Sequence, residues 1–262
     1  MGFLRLAFRA LLFGTGLLCY ICAALLVYCF TGFDPKKARP ILSKIVQVTS
    51  RAGLVIFNVR VNTNLNLDEI KGHHLIVSNH LTYLDILILS SHFNTSFVTS
   101  QEMKETPVLG HLCLLGGCFF VERRKRSGIR KEIQDLSDSL KTKHNIVIFP
   151  EATSTNGEAV IKFRKPLFQA AFDSNTRVLP VCLNYRTLDN EKITVKNRDH
   201  VFWYGDMSFF THAMTLLSHK GIEADLTILN PLSPEDFPDK NTMADQCYAL
   251  ISLEYQNITH AL

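Results

Sequence analysis

His80 and Asp85, five positions apart in Asn79-His80-Leu81-Thr82-Tyr83-Leu84-Asp85, are the residues of this chain best suited to proton chemistry. An imidazole with one nitrogen hydrogen-bonded to a carboxylate keeps its other nitrogen free to take a proton from a hydroxyl. Two residues five apart on one helix would point roughly 140° away from each other. They meet only if His80 stands in a loop leaving a strand and Asp85 in the first turn of the next helix. The apolar run Leu75-Ile76-Val77, followed by helical spacing through Leu84, Leu87 and Ile88, predicts that junction. A plainer reading of the same residues is that His80 caps the helix and Asp85 sits at its positive end.

Three further segments carry groups that could serve such a base. In Gly116-Gly117-Cys118-Phe119-Phe120-Val121-Glu122-Arg123-Arg124-Lys125-Arg126 an apolar strand runs into four basic residues. A guanidinium at a strand end offers a bidentate fork to phosphate, with Arg123 the first in line. A solvated loop or a patch beside anionic lipid headgroups is the alternative. In Ile148-Phe149-Pro150-Glu151-Ala152-Thr153-Ser154-Thr155-Asn156-Gly157 a strand delivers a carboxylate and three hydroxyls into a polar loop, and Lys162-Phe163-Arg164-Lys165 adds a second cationic cluster. Glu151 could position a polyol hydroxyl or pair with an arginine, whereas the hydroxyls could do no more than cap the turn. Val178-Leu179-Pro180-Val181 carries no chemistry of its own. Its proline predicts an edge strand or a strand beginning.

The elements that must position these residues alternate. Residues 41–58 have the pattern of an amphipathic helix. Strands are predicted at 75–77, 117–121, 145–149, 178–184 and 223–229, with helices over 127–143 and 166–172 between them. Such alternation predicts an α/β fold, a mixed sheet flanked by helices.

Composition is near the globular average, with 47% apolar and 20% charged residues among 262, and a net charge of +4. No zinc-finger spacing or RNP box is present, so nucleic acid is not an expected partner. The N-terminus departs from the average. Ala10 to Phe30 is 21 residues without a charge, which at about 1.5 Å per helical residue spans roughly 30 Å, the thickness of a bilayer's hydrocarbon core. The run is too long for a signal peptide's apolar region, so a membrane helix is expected, with Gly14 and Gly16 leaving room for one that re-enters. Lys36, Lys37 and Arg39 after the run slightly outnumber Arg5 and Arg9 before it, placing the following domain in the cytoplasm. Residues 1–40 then read as membrane anchor and basic connector, and 41–262 as the domain that does the chemistry. The seven cysteines show no paired metal-ligand spacing, and the adjacent His73 and His74 point apart on a strand, so no metal is expected.

In order and spacing the four segments resemble the glycerolipid acyltransferases, especially the 1-acyl-sn-glycerol-3-phosphate acyltransferases. That family has an Asn-His-x4-Asp block, a Gly-x-x-Phe-(Ile/Val)-x-Arg block, a Phe-Pro-Glu-Gly-Thr-Arg-Ser block and a short strand bearing proline. Here these are Asn79, His80 and Asp85; Gly117, Phe120 and Arg123; Phe149, Pro150, Glu151 and Thr153; and Val178 to Val181. The resemblance covers about residues 70–190. It implies a membrane-associated O-acyltransferase, in a bacterial inner membrane, with no cofactor and no acyl-enzyme. His80, oriented by Asp85, would deprotonate a lysolipid hydroxyl, which attacks the thioester of acyl-CoA or acyl carrier protein. The first acceptor implied is 1-acylglycerol-3-phosphate, giving phosphatidic acid. Asn79, Gly117, Arg123, Glu151, Thr153 and Arg164 would bind the substrate. Two positions depart from the family pattern: Ala152 replaces glycine, and Ser154 replaces an arginine expected near the acceptor phosphate. They leave room for lyso-ornithine lipid or another acceptor, or for a lipid-binding relative without turnover.

Overall fold

The computed structural model describes residues 2–64, 70, 72–122 and 128–258. From the N-terminus, α1 (Gly2–Phe30) and α2 (Pro35–Phe57) precede β1 (Val59–Thr63) and β2 (Leu75–Ser78). Next come α3 (Leu84–His92), β3 (Thr95–Ser100), α4 (Gln101–Glu105), α5 (Leu109–Leu115) and β4 (Phe119–Val121). Then α6 (Ile129–Lys141), β5 (Asn145–Ile148) and α7 (Gln169–Ser174) lead to the long β6 (Val178–Leu188) and to β7 (Glu191–Lys192). Last are α8 (Phe209–Ser218), β8 (Ile222–Ile228) and α9 (Lys240–Glu254).

The strands form one mixed sheet in the order β1-β8-β6-β2-β5-β3-β4, with β7 hairpinned onto β6. Only the pairings of β6 with β8 and with β7 are antiparallel. β2 lies at the centre, parallel to β5 on one side and β6 on the other. All three side chains of Leu75, Ile76 and Val77 are fully buried, as are Ile146 and Val147 beside them. These β-branched and leucine runs read as near-continuous apolar stretches because both faces of a central parallel strand are covered. The carboxyl ends of β2, β3, β4 and β5 emerge on one edge of the sheet, where open α/β sheets place their ligands.

Pro180 separates two expectations. It stands at the beginning of β6, as its third residue, but β6 is an inner strand and not an edge, with Pro180 in register with Val77 of β2. The proline is tolerated because it meets β8 just past the end of that ladder, which closes at Val181 and Ile228. Leu229 donates its N–H to the Pro180 carbonyl at 3.0 Å. The return bond, which a proline cannot donate, is the single one lost.

The N-terminal region is a helical hairpin. α1 runs unbroken through Gly14 and Gly16, and the chain reverses instead at Gly32 and Phe33, both at positive φ. Asp34 caps α2 by accepting the Lys36 N–H at 2.9 Å, and Pro35 takes the first helical position, so α2 begins inside the stretch expected to be a connector. Both helices are long and apolar enough to cross a bilayer, and α1 leaves many large side chains uncovered, with Phe3 and Phe30 81% and 89% exposed.

Yet α1 is docked on the domain. Arg5 donates to the Ser218 carbonyl at 2.7 Å, and Arg9 to those of His219 and Lys220 at 2.6 and 3.2 Å. Two guanidiniums therefore sit at the negative end of α8. Farther along, the Tyr20 and Tyr28 hydroxyls donate to the carbonyls of Leu112 and Leu114 in α5. Replacing both arginines in an Arg5→Ala/Arg9→Ala variant is expected to lower stability by roughly 1–2 kcal/mol, the scale of a few partly exposed charge-assisted hydrogen bonds. The check is the thermal midpoint of the detergent-solubilised protein, and an unchanged midpoint would refute the docking.

Candidate active site

The loop from β2 into α3 holds the histidine and the aspartate as the strand-to-helix reading requires. His80 lies two residues past the end of β2, and Asp85 is the second residue of α3. His80 Nδ1 is 2.8 Å from Asp85 Oδ2. The same oxygen accepts the backbone N–H groups of Leu81 at 2.6 Å and Thr82 at 3.0 Å. Asp85 Oδ1 accepts the hydroxyl of Tyr185, from β6, at 2.7 Å. The carboxylate is fully buried, so four donors stand in for water around its charge. An ionised carboxylate only accepts, so Nδ1 carries the imidazole proton and the lone pair lies on Nε2. That nitrogen has no hydrogen-bond partner among the described residues, and the side chain is 18% exposed, enough to be approached.

The loop after β5 supplies the other wall. The Phe149 ring stacks on His80 with centroids 4.0 Å apart and planes 14° from parallel. Glu151 is buried, and both of its oxygens are committed to backbone. Oε1 accepts the His80 N–H at 2.7 Å and Oε2 the Ile161 N–H at 2.9 Å. Burial pushes its carboxyl up to about 7, against the opposing pull of those two N–H donors. The His80 carbonyl in turn accepts the Thr155 N–H at 3.0 Å. The histidine backbone is thus clamped from both sides by one loop.

The remaining candidates divide. Asn79 is turned inward: its amide is buried and exchanges two hydrogen bonds with the Leu183 backbone, pinning the loop to β6 at 2.9 and 2.8 Å. Gly117 is a turn residue at φ +72°, where a Cβ would stand 3.1 Å from Arg39 Cγ, and its carbonyl accepts the Arg39 Nε–H at 3.0 Å. Glu151 is likewise a strut for backbone. Thr153 is exposed and bonds only locally, to the Ser154 carbonyl at 3.3 Å. Arg164 is exposed too, and its N–H to the Pro150 carbonyl at 2.8 Å keeps it beside the loop. Arg123 lies outside the described residues. Among the described residues no group of three or more His, Cys, Asp and Glu could hold a metal ion.

Three contributors stand outside the four segments. Tyr185 stands 100 positions from its partner Asp85. Trp203 closes the third side: its backbone N–H donates to the Leu81 carbonyl at 3.0 Å, and its carbonyl accepts the Ser154 hydroxyl at 2.5 Å. Phe202 fills the space that Gly157 leaves, where an added Cβ would come within 2.3 Å of its ring.

Residues 56–184 match the family model described as Acyltransferase, a stretch that contains both His80 and Glu151. The chain belongs to this acyltransferase family. It is 29% identical over 219 residues to the lyso-ornithine lipid O-acyltransferase of Rhodobacter capsulatus, covering 81% of this chain and 76% of that one. It is 35% identical over 143 residues to the 1-acyl-sn-glycerol-3-phosphate acyltransferase of Neisseria gonorrhoeae, covering 55% and 56%, so that match spans about half of each protein. The crystal structure of the 1-acyl-sn-glycerophosphate acyltransferase of Thermotoga maritima shares the fold, with a TM-score of 0.65 at 17% identity over 97% of this chain and 96% of that one.

Two expectations follow for this acyltransferase's loop. Ala152 sits at φ +64°, a left-handed conformation that disfavours a Cβ by about 1 kcal/mol. Ala152→Gly should therefore raise the thermal midpoint, and a lower midpoint would refute the strain. Glu151 binds more protons folded than unfolded between about 4.5 and 7. Its contribution to stability is therefore fully present below that window and is lost as pH rises through it. Thermal unfolding of wild type and Glu151→Gln at pH 5 and pH 7.5 should show wild type losing more stability than the variant over the rise. Parallel losses would show that the carboxyl is not perturbed.

Proposed function

We propose that this acyltransferase moves a fatty acyl group from a thioester donor, acyl-CoA or acyl carrier protein, to the hydroxyl of a membrane lysolipid. The observation that carries the reading is the His80–Asp85 pair, with Nδ1 tied to a buried carboxylate and Nε2 open. In this reading Nε2 takes the proton of the lysolipid hydroxyl as its oxygen attacks the thioester carbonyl. The C–S bond breaks, and the imidazolium returns the proton to the departing thiolate. The acceptor brings its own nucleophile, which fits a chain without a Gly-x-Ser-x-Gly elbow. In this reading residues 1–40 serve as anchor and connector and residues 41–262 carry the chemistry, and the basic residues after α1 favour a site on the cytoplasmic side.

The first acceptor we assign is 1-acylglycerol-3-phosphate, giving phosphatidic acid, with Arg164, Lys162 and the arginine-rich segment from Arg123 as its cations. Lyso-ornithine lipid is a second reading, favoured by one specific observation. Ser154 stands where an arginine was expected, and its hydroxyl is already bonded to the Trp203 carbonyl. The broad match to a lyso-ornithine lipid O-acyltransferase supports the same reading.

Purified protein assayed against both lysolipids, with both donors, separates these readings. Transfer to the ornithine lipid alone would sink the phosphatidate reading. His80→Ala should lower turnover at least 10²–10⁴-fold, the usual contribution of a general base, while folding and membrane association persist. Near-normal turnover in that variant would reject His80 as the base, and lipid binding without transfer to any acceptor would mark a relative that has lost turnover.

A further inference from the structure

The carboxylate behind His80 is held from two directions, and only one of them belongs to the His80 loop. The Leu81 and Thr82 N–H groups come from that loop itself and reach Oδ2. The Tyr185 hydroxyl comes from β6 and is the one donor recorded on Oδ1. We infer that Tyr185 is a positioning residue for the transfer reaction, fixing the rotation of the Asp85 carboxylate and withdrawing charge from it. This inference rests on the reading of His80 as the base.

Three observations carry it. The first is direction. Burial and the Asp85 charge both push the Tyr185 hydroxyl well above its ordinary range, so it stays protonated and donates. The second is rigidity. Tyr185 is 6% exposed, and its ring packs edge-to-face on Phe202 at 5.7 Å; Phe202 in turn fills the space beneath Gly157. The hydroxyl therefore has no freedom to leave Oδ1 without moving the catalytic loops. The third is register. Two residues earlier in β6, Leu183 clamps the side chain of Asn79, the residue just before His80. One strand therefore fixes the start of the His80 loop through its backbone at Leu183 and the far oxygen of Asp85 through the side chain at Tyr185.

The chemical consequence has a sign. A donor on Oδ1 draws negative charge away from the oxygen that faces Nδ1 and makes the carboxylate a weaker partner for imidazolium. Without it, Asp85 would stabilise the protonated histidine more, and the free base would be reached only at higher pH. The other titratable groups that bear on Asp85 are His80, Glu151 and, farther off, Tyr255; Tyr83 bears on Tyr185 itself.

Tyr185→Phe keeps the ring and removes only the hydroxyl. Its kcat should fall about tenfold or more, in line with the loss of a hydrogen bond to a charged group. KM for the lysolipid should stay within about twofold, and the acid limb of the pH–rate profile should move to higher pH. The imidazole titrations of ¹⁵N-histidine-labelled protein in micelles give the same answer without turnover: one histidine, absent from the His80→Ala spectrum, should titrate higher in Tyr185→Phe. A rate profile and a titration that both superimpose on wild type would overturn the proposal. So would an activity loss that tracks unfolded protein with no shift of the limb. His80→Ala measured in parallel tests the base alone, so failure of that reading is seen separately from failure of the Tyr185 assignment.

Discussion

A single buried carboxylate organises the candidate site of this protein. Asp85 has no exposed surface, and a bare charge in that position would be prohibitively costly. The fold meets the requirement with two peptide N–H groups, an imidazole and a phenol, drawn from the loop after the central strand and from the neighbouring strand. Those donors can converge only if β2, α3 and β6 are fixed relative to one another. The carboxylate therefore links the sheet's geometry to the orientation of one imidazole ring.

Glu151 does for the backbone of His80 what Asp85 does for its side chain. It bridges the β2 loop to Ile161 in the segment after β5, so the two loops cannot separate without stranding a peptide N–H. Phe149 stacked on the ring and Trp203 bonded to Leu81 and Ser154 complete a frame in which most of the polar groups serve geometry. Nε2 of His80 and the exposed side chains of Thr153, Lys162 and Arg164 are left facing outward.

The sequence made much of this visible, and the reasons for its gaps are physical. β2 and β5 were legible because buried parallel strands are written in β-branched residues. α6 was legible through the spacing of Ile129, Ile133, Leu136 and Leu140. β3, Thr95-Ser-Phe-Val-Thr-Ser, was not: its polar side chains look like loop, yet Thr95 is satisfied by the Asn145 carbonyl and Ser96 by His144. The histidine and aspartate were found because five residues of chain bring them together. Tyr185 was missed because only the sheet does. Glu151 and Asn79 stood out by residue type, but local sequence does not reveal that a polar side chain is buried against backbone.

The hairpin of α1 and α2 gives the docking of the first helix a mechanical meaning. A helix joined by a flexible linker would act as a tether, holding the domain near a bilayer while leaving it free to tumble. Here α1 is fastened near one end by Arg5 and Arg9 and near the other by Tyr20 and Tyr28. It works instead as a keel: helix and sheet move as one body, so any tilt of α1 is a tilt of the whole sheet and of the His80 loop with it.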